Sequence, residues 1–222
     1  MSALSTIIRR DMRLAARSGG AWSYGLVFMV FFLALCAIAL GGNSQTLKPL
    51  SIPLIWLAIL FSSLLSISQI FRGDMEDGSL VQLKLSGLTS MTIASAKTIS
   101  FALIYLFPLI ITTPIWGQLF GLGGVELTGL LMALLVALPA IAVYVAVSGA
   151  ILCAKQSGGF LAIILTAPLL IPTLIFGVLA SQKFSELGLA TPELRILTGL
   201  SFLSIAIGLP ASAAALSANL EG

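Results

Sequence analysis

The sequence contains no histidine, which removes the side chain most used as general base and metal ligand. Charge is scarce as well: 11 basic and 8 acidic residues make up only 9% of the 222-residue chain. Soluble domains carry far more. Cysteine occurs twice, as Cys36 and Cys153 in separate apolar runs. One is expected toward the outer side and the other at the inner end, too far apart for a disulfide, so both read as packing residues. No GxxxxGK[ST], HExxH or CxxC pattern occurs, so the chain has no P-loop for ATP and no zinc or dithiol motif. The middles of the apolar runs also lack ionisable residues, which a proton- or sodium-coupled carrier normally keeps. Any solute movement is therefore expected to draw its energy from another subunit, docking from the cytoplasm. No nucleic-acid partner is expected.

What the sequence does hold is apolar: 59% of its residues are hydrophobic, in runs near the length that crosses about 30 Å of hydrocarbon as helix. Barrel strands would be about 10 residues long and alternate in polarity. The class is therefore an all-α, polytopic membrane protein with nothing left over for a soluble catalytic domain. One transmembrane domain over 1–222 is expected, with six spans at about 21–41, 50–71, 99–120, 127–152, 160–180 and 194–218. Before them, Arg9, Arg10, Arg13 and Arg17 are interleaved with Ile7, Ile8, Met12 and Leu14. That spacing predicts a basic amphipathic helix lying on an anionic leaflet of membrane lipid. The triplet Ala37-Ile38-Ala39 has the small-x-small look of a signal cleavage site, but the run Ala21–Leu40 is of spanning length and reads as the first span. Trp22 and Tyr24 suit its inner interface.

An even number of spans puts both termini on one side. Arg9, Arg10, Arg13, Arg17, Arg72, Lys84, Lys97 and Lys155 then share that side, against Lys48, Lys183 and Arg195 opposite. A bias of eight to three makes the first side cytoplasmic. Within the spans, Ser62, Ser63, Ser66, Ser68 and Gln69 suit close helix packing, with a solute path as the other reading. Pro108 and Pro114 imply kinks in the third span, and Pro139 bends the fourth. Pro168 and Pro172, four residues apart and followed by Phe176, make the fifth span the expected broken helix; such breaks line cavities or pack within protein. Gly149 and Ala150 are small enough for an interface between two copies.

Between the second and third spans lies the most polar interval, the segment 72–98. Its start, Arg72-Gly-Asp74-Met-Glu76-Asp77-Gly78, is turn-prone because its glycines relax the backbone. Ser79 stands three residues before Gln82, the spacing of a capping box. Leu80, Val81, Leu83, Leu85 and Leu88 follow, giving a short amphipathic helix along the membrane face, acidic at its start where the helix dipole favours negative charge. A plain solvated loop is the alternative, but a loop without a partner has little reason to carry five large aliphatics in nine residues. Asp74, Glu76 and Asp77 read as a charged surface rather than a metal cluster. Thr89-Ser90 begins the next helix.

Three stretches together resemble the haem exporter protein B family (CcmB): Phe71-Arg-Gly-Asp-Met-Glu-Asp-Gly-Ser-Leu80, Tyr105-Leu-Phe-Pro-Leu-Ile-Ile-Thr-Thr-Pro114 and Pro168-Leu-Leu-Ile-Pro-Thr-Leu-Ile-Phe-Gly177. The resemblance extends to length, spans, the basic amphipathic start and the acidic loop. It implies an ABC-2-like permease subunit in the bacterial inner membrane, itself not an enzyme. The family pairs two copies of this subunit with a cytosolic ABC ATPase, a haem-handling membrane subunit and a small single-span subunit. It hands haem to, or releases, a periplasmic haem chaperone during cytochrome c maturation. By the same resemblance the segment after the second span is the coupling helix, carried here by Arg72, Asp74, Glu76, Asp77, Gly78, Leu80, Leu83 and Leu88. Haem is then a handled substrate and not a covalent cofactor; with no histidine, its contacts would be apolar, aromatic, or through Met, Tyr, Cys or Arg. Other readings with the same architecture are an ABC permease for another lipid, glycan or peptide, and a non-transporting scaffold.

Overall fold

Every regular element among the described residues is helical. Hydrocarbon offers no water to an unpaired N–H or C=O, and a helix closes those bonds within one segment. The computed structural model describes residues 3–20, 23–154 and 158–221. Trp22, Lys155 and the first residue of the expected 21–41 span lie outside them. The order is α1 (Ala3–Arg17), α2 (Tyr24–Ala39), α3 (Ser44–Leu65), the short α4 (Arg72–Glu76) and α5 (Ser79–Leu85), α6 (Ser90–Phe101), α7 (Phe107–Leu119), α8 (Gly124–Leu152), α9 (Gly158–Leu187), α10 (Pro192–Leu203) and α11 (Leu209–Glu221). The pairs α6–α7 and α10–α11 are each one continuous rod, joined through a π turn at Ala102–Leu106 and at Ser204–Gly208.

Five stretches are long and apolar enough to cross a membrane: Ser44–Leu65, Ser90–Leu119, Gly124–Leu152, Phe160–Ala190 and Pro192–Leu220. The sixth apolar helix, α2, has 16 residues, about 24 Å at 1.5 Å per residue. Side chains set the starts of two of these helices. The Asn43 carboxamide accepts from Gln45 N at 3.0 Å and begins α3 inside the polar turn. Thr89 Oγ1 accepts from Thr92 N at 3.2 Å and begins α6 where Thr89-Ser90 is expected to start the helix leading into the third span, so Lys97 lies inside a helix.

The expected break at Pro168 and Pro172 is absent: α9 runs unbroken through both. The interruptions lie elsewhere. Each π turn holds the residue four before a proline, Ile104 before Pro108 and Ala206 before Pro210. A proline cannot donate to that carbonyl and its ring crowds it, and a widened turn moves the carbonyl aside. Proline alone does not force this, since Pro114 and Pro139 sit in regular helix.

Helix α8 is the centre of the bundle and packs against α6, α9, α10 and α11. Its buried face is built from small residues, among them Gly129, Ala133, Ala137, Ala140, Ala146 and Gly149, which let backbones approach closely. Three side chains tie neighbours to its carbonyls: Ser201 Oγ to Val136 O at 2.6 Å, Ser212 Oγ to Ala146 O at 3.4 Å and Asn219 Nδ2 to Ala150 O at 2.9 Å. A Cβ on Gly149 would lie 2.7 Å from Ile70 Cγ2, and Ala150 is fully buried. These two residues therefore serve contacts inside the chain and are closed to a second copy. Ser62 and Ser63 at the end of α3, and Ser66 just past it, are likewise buried, with Ser63 Oγ donating to Leu60 O at 2.7 Å and Ser66 Oγ to Ser62 O at 3.0 Å along the same stretch of chain.

Candidate functional site

One end of the bundle gathers α1, α4, α5, the start of α6 and the end of α11. Ser90 Oγ meets Ser217 Oγ at 2.6 Å, and Lys84 Nζ donates to Ser90 Oγ at 2.8 Å. Both ends of the described chain are thus on this side. Four charges meet here. Lys97 Nζ lies 3.0 Å from Asp11 Oδ2 and 2.6 Å from Asp74 Oδ2. Arg10 Nη2 lies 2.6 Å from Asp74 Oδ2 and 3.1 Å from Asp11 Oδ1. Lys97 is 7% exposed and Asp11 6%, so these two are withdrawn from water, while the half-buried Arg10 closes the quartet on its open side. The quartet is formally neutral and joins three elements, α1, α4 and α6. Burial pulls the Arg10 guanidinium down, but Asp74 and Asp11 together outweigh it and hold the group above its ordinary value.

Beside the quartet lies a cleft of about 180 Å³, lined by Gln69, Ser100 and Tyr105 along with Asp11, Asp74 and Lys97. Ser100 Oγ is buried there without a hydrogen-bond partner among the described residues. A polar cleft of this size accommodates several waters, which would satisfy it.

The acidic loop is shaped by separate partners for each carboxylate. Asp74 joins the quartet, Glu76 pairs with Arg72 at 2.7 Å one helical turn back, and the Asp77 carboxylate accepts from Ser79 N at 2.8 Å. No group of three or more metal-ligating side chains occurs among the described residues. The start of α5 differs from the expected Ser79/Gln82 capping box. Gly78, with φ +77°, precedes the helix in the left-handed region that suits glycine, and Asp77 takes the Ser79 amide instead.

Helix α5 has two unlike faces. Leu80 is fully buried in the chain's own core, and Leu83 and Leu88 are half-buried against it. Val81 and, at 82% exposure, Leu85 point away. The coupling residues read from sequence therefore divide. Asp74 and Leu80 anchor, Asp77 and Gly78 shape the turn, and Arg72 and Glu76 lie at the surface. The outward apolar surface of α5 is made by Val81 and Leu85. The proline-rich candidates are not brought together: Pro108 and Pro114 are half-buried in α7, Pro168 and Pro172 are exposed on α9 and Phe176 is half-buried. None lines the cleft beside the quartet.

Sequence reasoning missed Asp11 and the inward role of Lys97. A signal was present, since Asp11 is the one acid among the arginines of α1 and falls four residues after the buried Ile7, on the same face.

The chain matches the profile of the family described as CcmB protein over residues 2–219. It is similar to the heme exporter protein B of Bradyrhizobium diazoefficiens, 36% identical over 223 residues that cover 100% of both chains. Against that of Paracoccus denitrificans it is 32% identical over 218 residues, 98% of this chain and 100% of the relative. Against that of Escherichia coli K12 it is 31% identical over 179 residues, 81% of each. The resemblance carried by the acidic loop and the proline-rich runs thus extends to whole sequences, and the chain belongs to the CcmB protein family.

Proposed function

We propose that this chain is the membrane subunit of an ABC-type complex that uses a partner's ATP hydrolysis for haem export or haem-chaperone release in cytochrome c maturation. The name shared by its relatives supports haem over another lipid, glycan or peptide. The observation that carries the coupling role is the divided helix α5, with Leu80 locked into the bundle while Val81 and Leu85 face outward. A helix held on one side and apolar on the other is suited to a partner's groove. We take the end bearing α1, α4 and α5 as cytoplasmic because Arg9, Arg10, Arg13, Arg17, Arg72, Lys84 and Lys97 collect there. On this reading α2 completes six spans in the bacterial inner membrane. Two copies assemble with the cytosolic ATPase, the haem-handling subunit and the small single-span subunit, and the periplasmic haem chaperone is served indirectly.

Force applied to α5 passes to α4 through the Asp77–Gly78 turn. From α4, Asp74 bonds to both Lys97 of α6 and Arg10 of α1, so the three elements move together. The π turn at Ala102–Leu106 then gives the α6–α7 rod a point at which to bend. Leu85→Asp is expected to leave membrane insertion and thermal stability unchanged while the ATPase no longer co-purifies. Leu80→Asp is expected to lose both, because it buries a carboxylate in the core. Normal ATPase recovery with Leu85→Asp, or labelling of Ser86→Cys from outside intact cells by an impermeant thiol reagent, rejects the proposal.

A further inference from the structure

Helix α1 uses one of its four arginines internally. Arg10 is held by Asp11 and Asp74, whereas Arg9, Arg13 and Arg17 are exposed and have no carboxylate within ion-pair distance among the described residues. These three recur every four residues, so they form one stripe along the helix. The stripe borders a groove of about 490 Å³ between α1 and α5, with Leu14 and Leu83 in its wall. The groove thus has a basic rim and an apolar lining, with Leu14 set between Arg10, Arg13 and Arg17. Met12 and Leu14 are half exposed on the same helix, as expected of a helix resting at the boundary between headgroups and acyl chains.

We infer that this groove is a binding site for an anionic phospholipid of the leaflet at this end, its phosphodiester between Arg13 and Arg17 and its acyl chains over Leu14. Charge complementarity names the occupant: a phosphodiester matches guanidinium groups in fork geometry, and a headgroup with attached chains matches the adjoining leucines. The placement separates the groove from the ATPase contact. Leu83 is two residues from both Val81 and Leu85, which puts it about 160° around α5 from each. The groove therefore lies on the flank opposite the outward face assigned to the partner. The inference rests on the proposed sidedness only in naming the cytoplasmic leaflet, the more anionic one toward basic segments.

The test is lipid retention by the full chain purified in mild detergent, read by native mass spectrometry after incubation with phosphatidylglycerol or phosphatidylcholine. The wild-type chain is expected to retain phosphatidylglycerol preferentially. Arg13→Gln/Arg17→Gln should weaken that retention about 30-fold, since each basic residue near an anionic surface contributes about fivefold. Arg13→Lys/Arg17→Lys should keep most of it, and Arg195→Gln, at the other end, should keep all of it. Equal retention of the two lipids by the wild-type chain overturns the inference. So does phosphatidylglycerol retention within about twofold of wild type by the double glutamine variant. Loss of ATPase association by that variant, with its lipid retention intact, assigns the groove to the protein partner and overturns it equally. Neither readout of lipid needs the ATPase or the sidedness, so this inference and the coupling proposal fail separately.

Discussion

Lys97→Met removes the central cation of the buried quartet while keeping most of the side-chain volume. Asp11 and Asp74 then face one another at 6% and 10% side-chain exposure, with only Arg10 to compensate them. Removing one member of a buried pair costs about 3–5 kcal/mol, because the stranded charge has lost its water. Arg10 stays within 3.1 Å of Asp11 and 2.6 Å of Asp74, which places the loss near the lower figure, about 3 kcal/mol. On the scale of chains of this length that lowers the melting temperature by roughly 6–12 °C. The assay is thermal denaturation in mild detergent with a thiol-reactive dye, since Cys153 is buried in the folded chain. Trypsin supplies a local readout, because release of α1 exposes Arg9, Arg13 and Arg17 on a loosened backbone. A second substitution, Asp11→Asn, removes the stranded carboxylate and leaves the Arg10–Asp74 pair whole. Lys97→Met/Asp11→Asn should therefore be more stable than Lys97→Met, a coupling of about 1.5 kcal/mol or more. A single variant that melts within about 2 °C of wild type, or a double variant with simply additive losses, refutes the account of the quartet.

Gly177→Ala should destabilise by about 1–3 kcal/mol through overpacking, since a Cβ there would lie 2.4 Å from the Trp56 ring. That ring is pinned by Nε1–H donation to Ser181 Oγ at 3.1 Å, so an unchanged melting temperature would mean the α3–α9 contact is looser than described. Asp77 sets a pH dependence. The Ser79 hydroxyl and amide hold its carboxyl below the usual carboxylate range, so its support of α5 is complete above that range and lost as pH falls through the lowered value. Protection of the amides of residues 79–82 against hydrogen exchange, corrected for intrinsic rates, should decline on acidification below about pH 4. Asp77→Asn, an acceptor that does not titrate, should abolish that decline, and persistence of it in the variant would place its origin elsewhere.

Helix content and the membrane class were legible because they rest on run length and composition, which do not depend on tertiary partners. The start at Thr89 was legible for the same reason, since the cap is local. The break assigned to Pro168 and Pro172 was not, because proline removes a hydrogen bond without dictating whether the helix straightens, bends or widens. In α9 it stays regular, and the widening occurs before Pro108 and Pro210. The short helix after Gly78 was expected from its aliphatic content and is present, but which leucine turns inward depends on what lies beneath. Ile70 and Phe71, seated on Gly149 of α8, draw the chain down ahead of α4, and Leu80 follows into the core while Leu85 stays out. Lys97 looked like a cytoplasmic flank charge because its partners, Asp11 and Asp74, are 86 and 23 residues away. No local pattern reports such a contact.

That separation also bears on why charge is buried at this end at all. Leucines in the places of Asp11, Asp74 and Lys97 would hold α1 on the bundle at no desolvation cost, and often more firmly. They would not hold it in one position. Apolar contact is non-directional, and on α1 only Ile7 is a fully buried aliphatic anchor, so the helix would be free to roll or slide along α6. Two carboxylates bracketed by Lys97 and Arg10 at 2.6–3.2 Å accept one rotation and one height of α1 and no others. The same bonds fix Asp74, and with it the four residues from there to Asp77 that set the entry to α5. A quartet kept for register should tolerate neutral replacement in stability yet lose the fixed relation between α1, α5 and α6, the relation on which the proposed coupling depends.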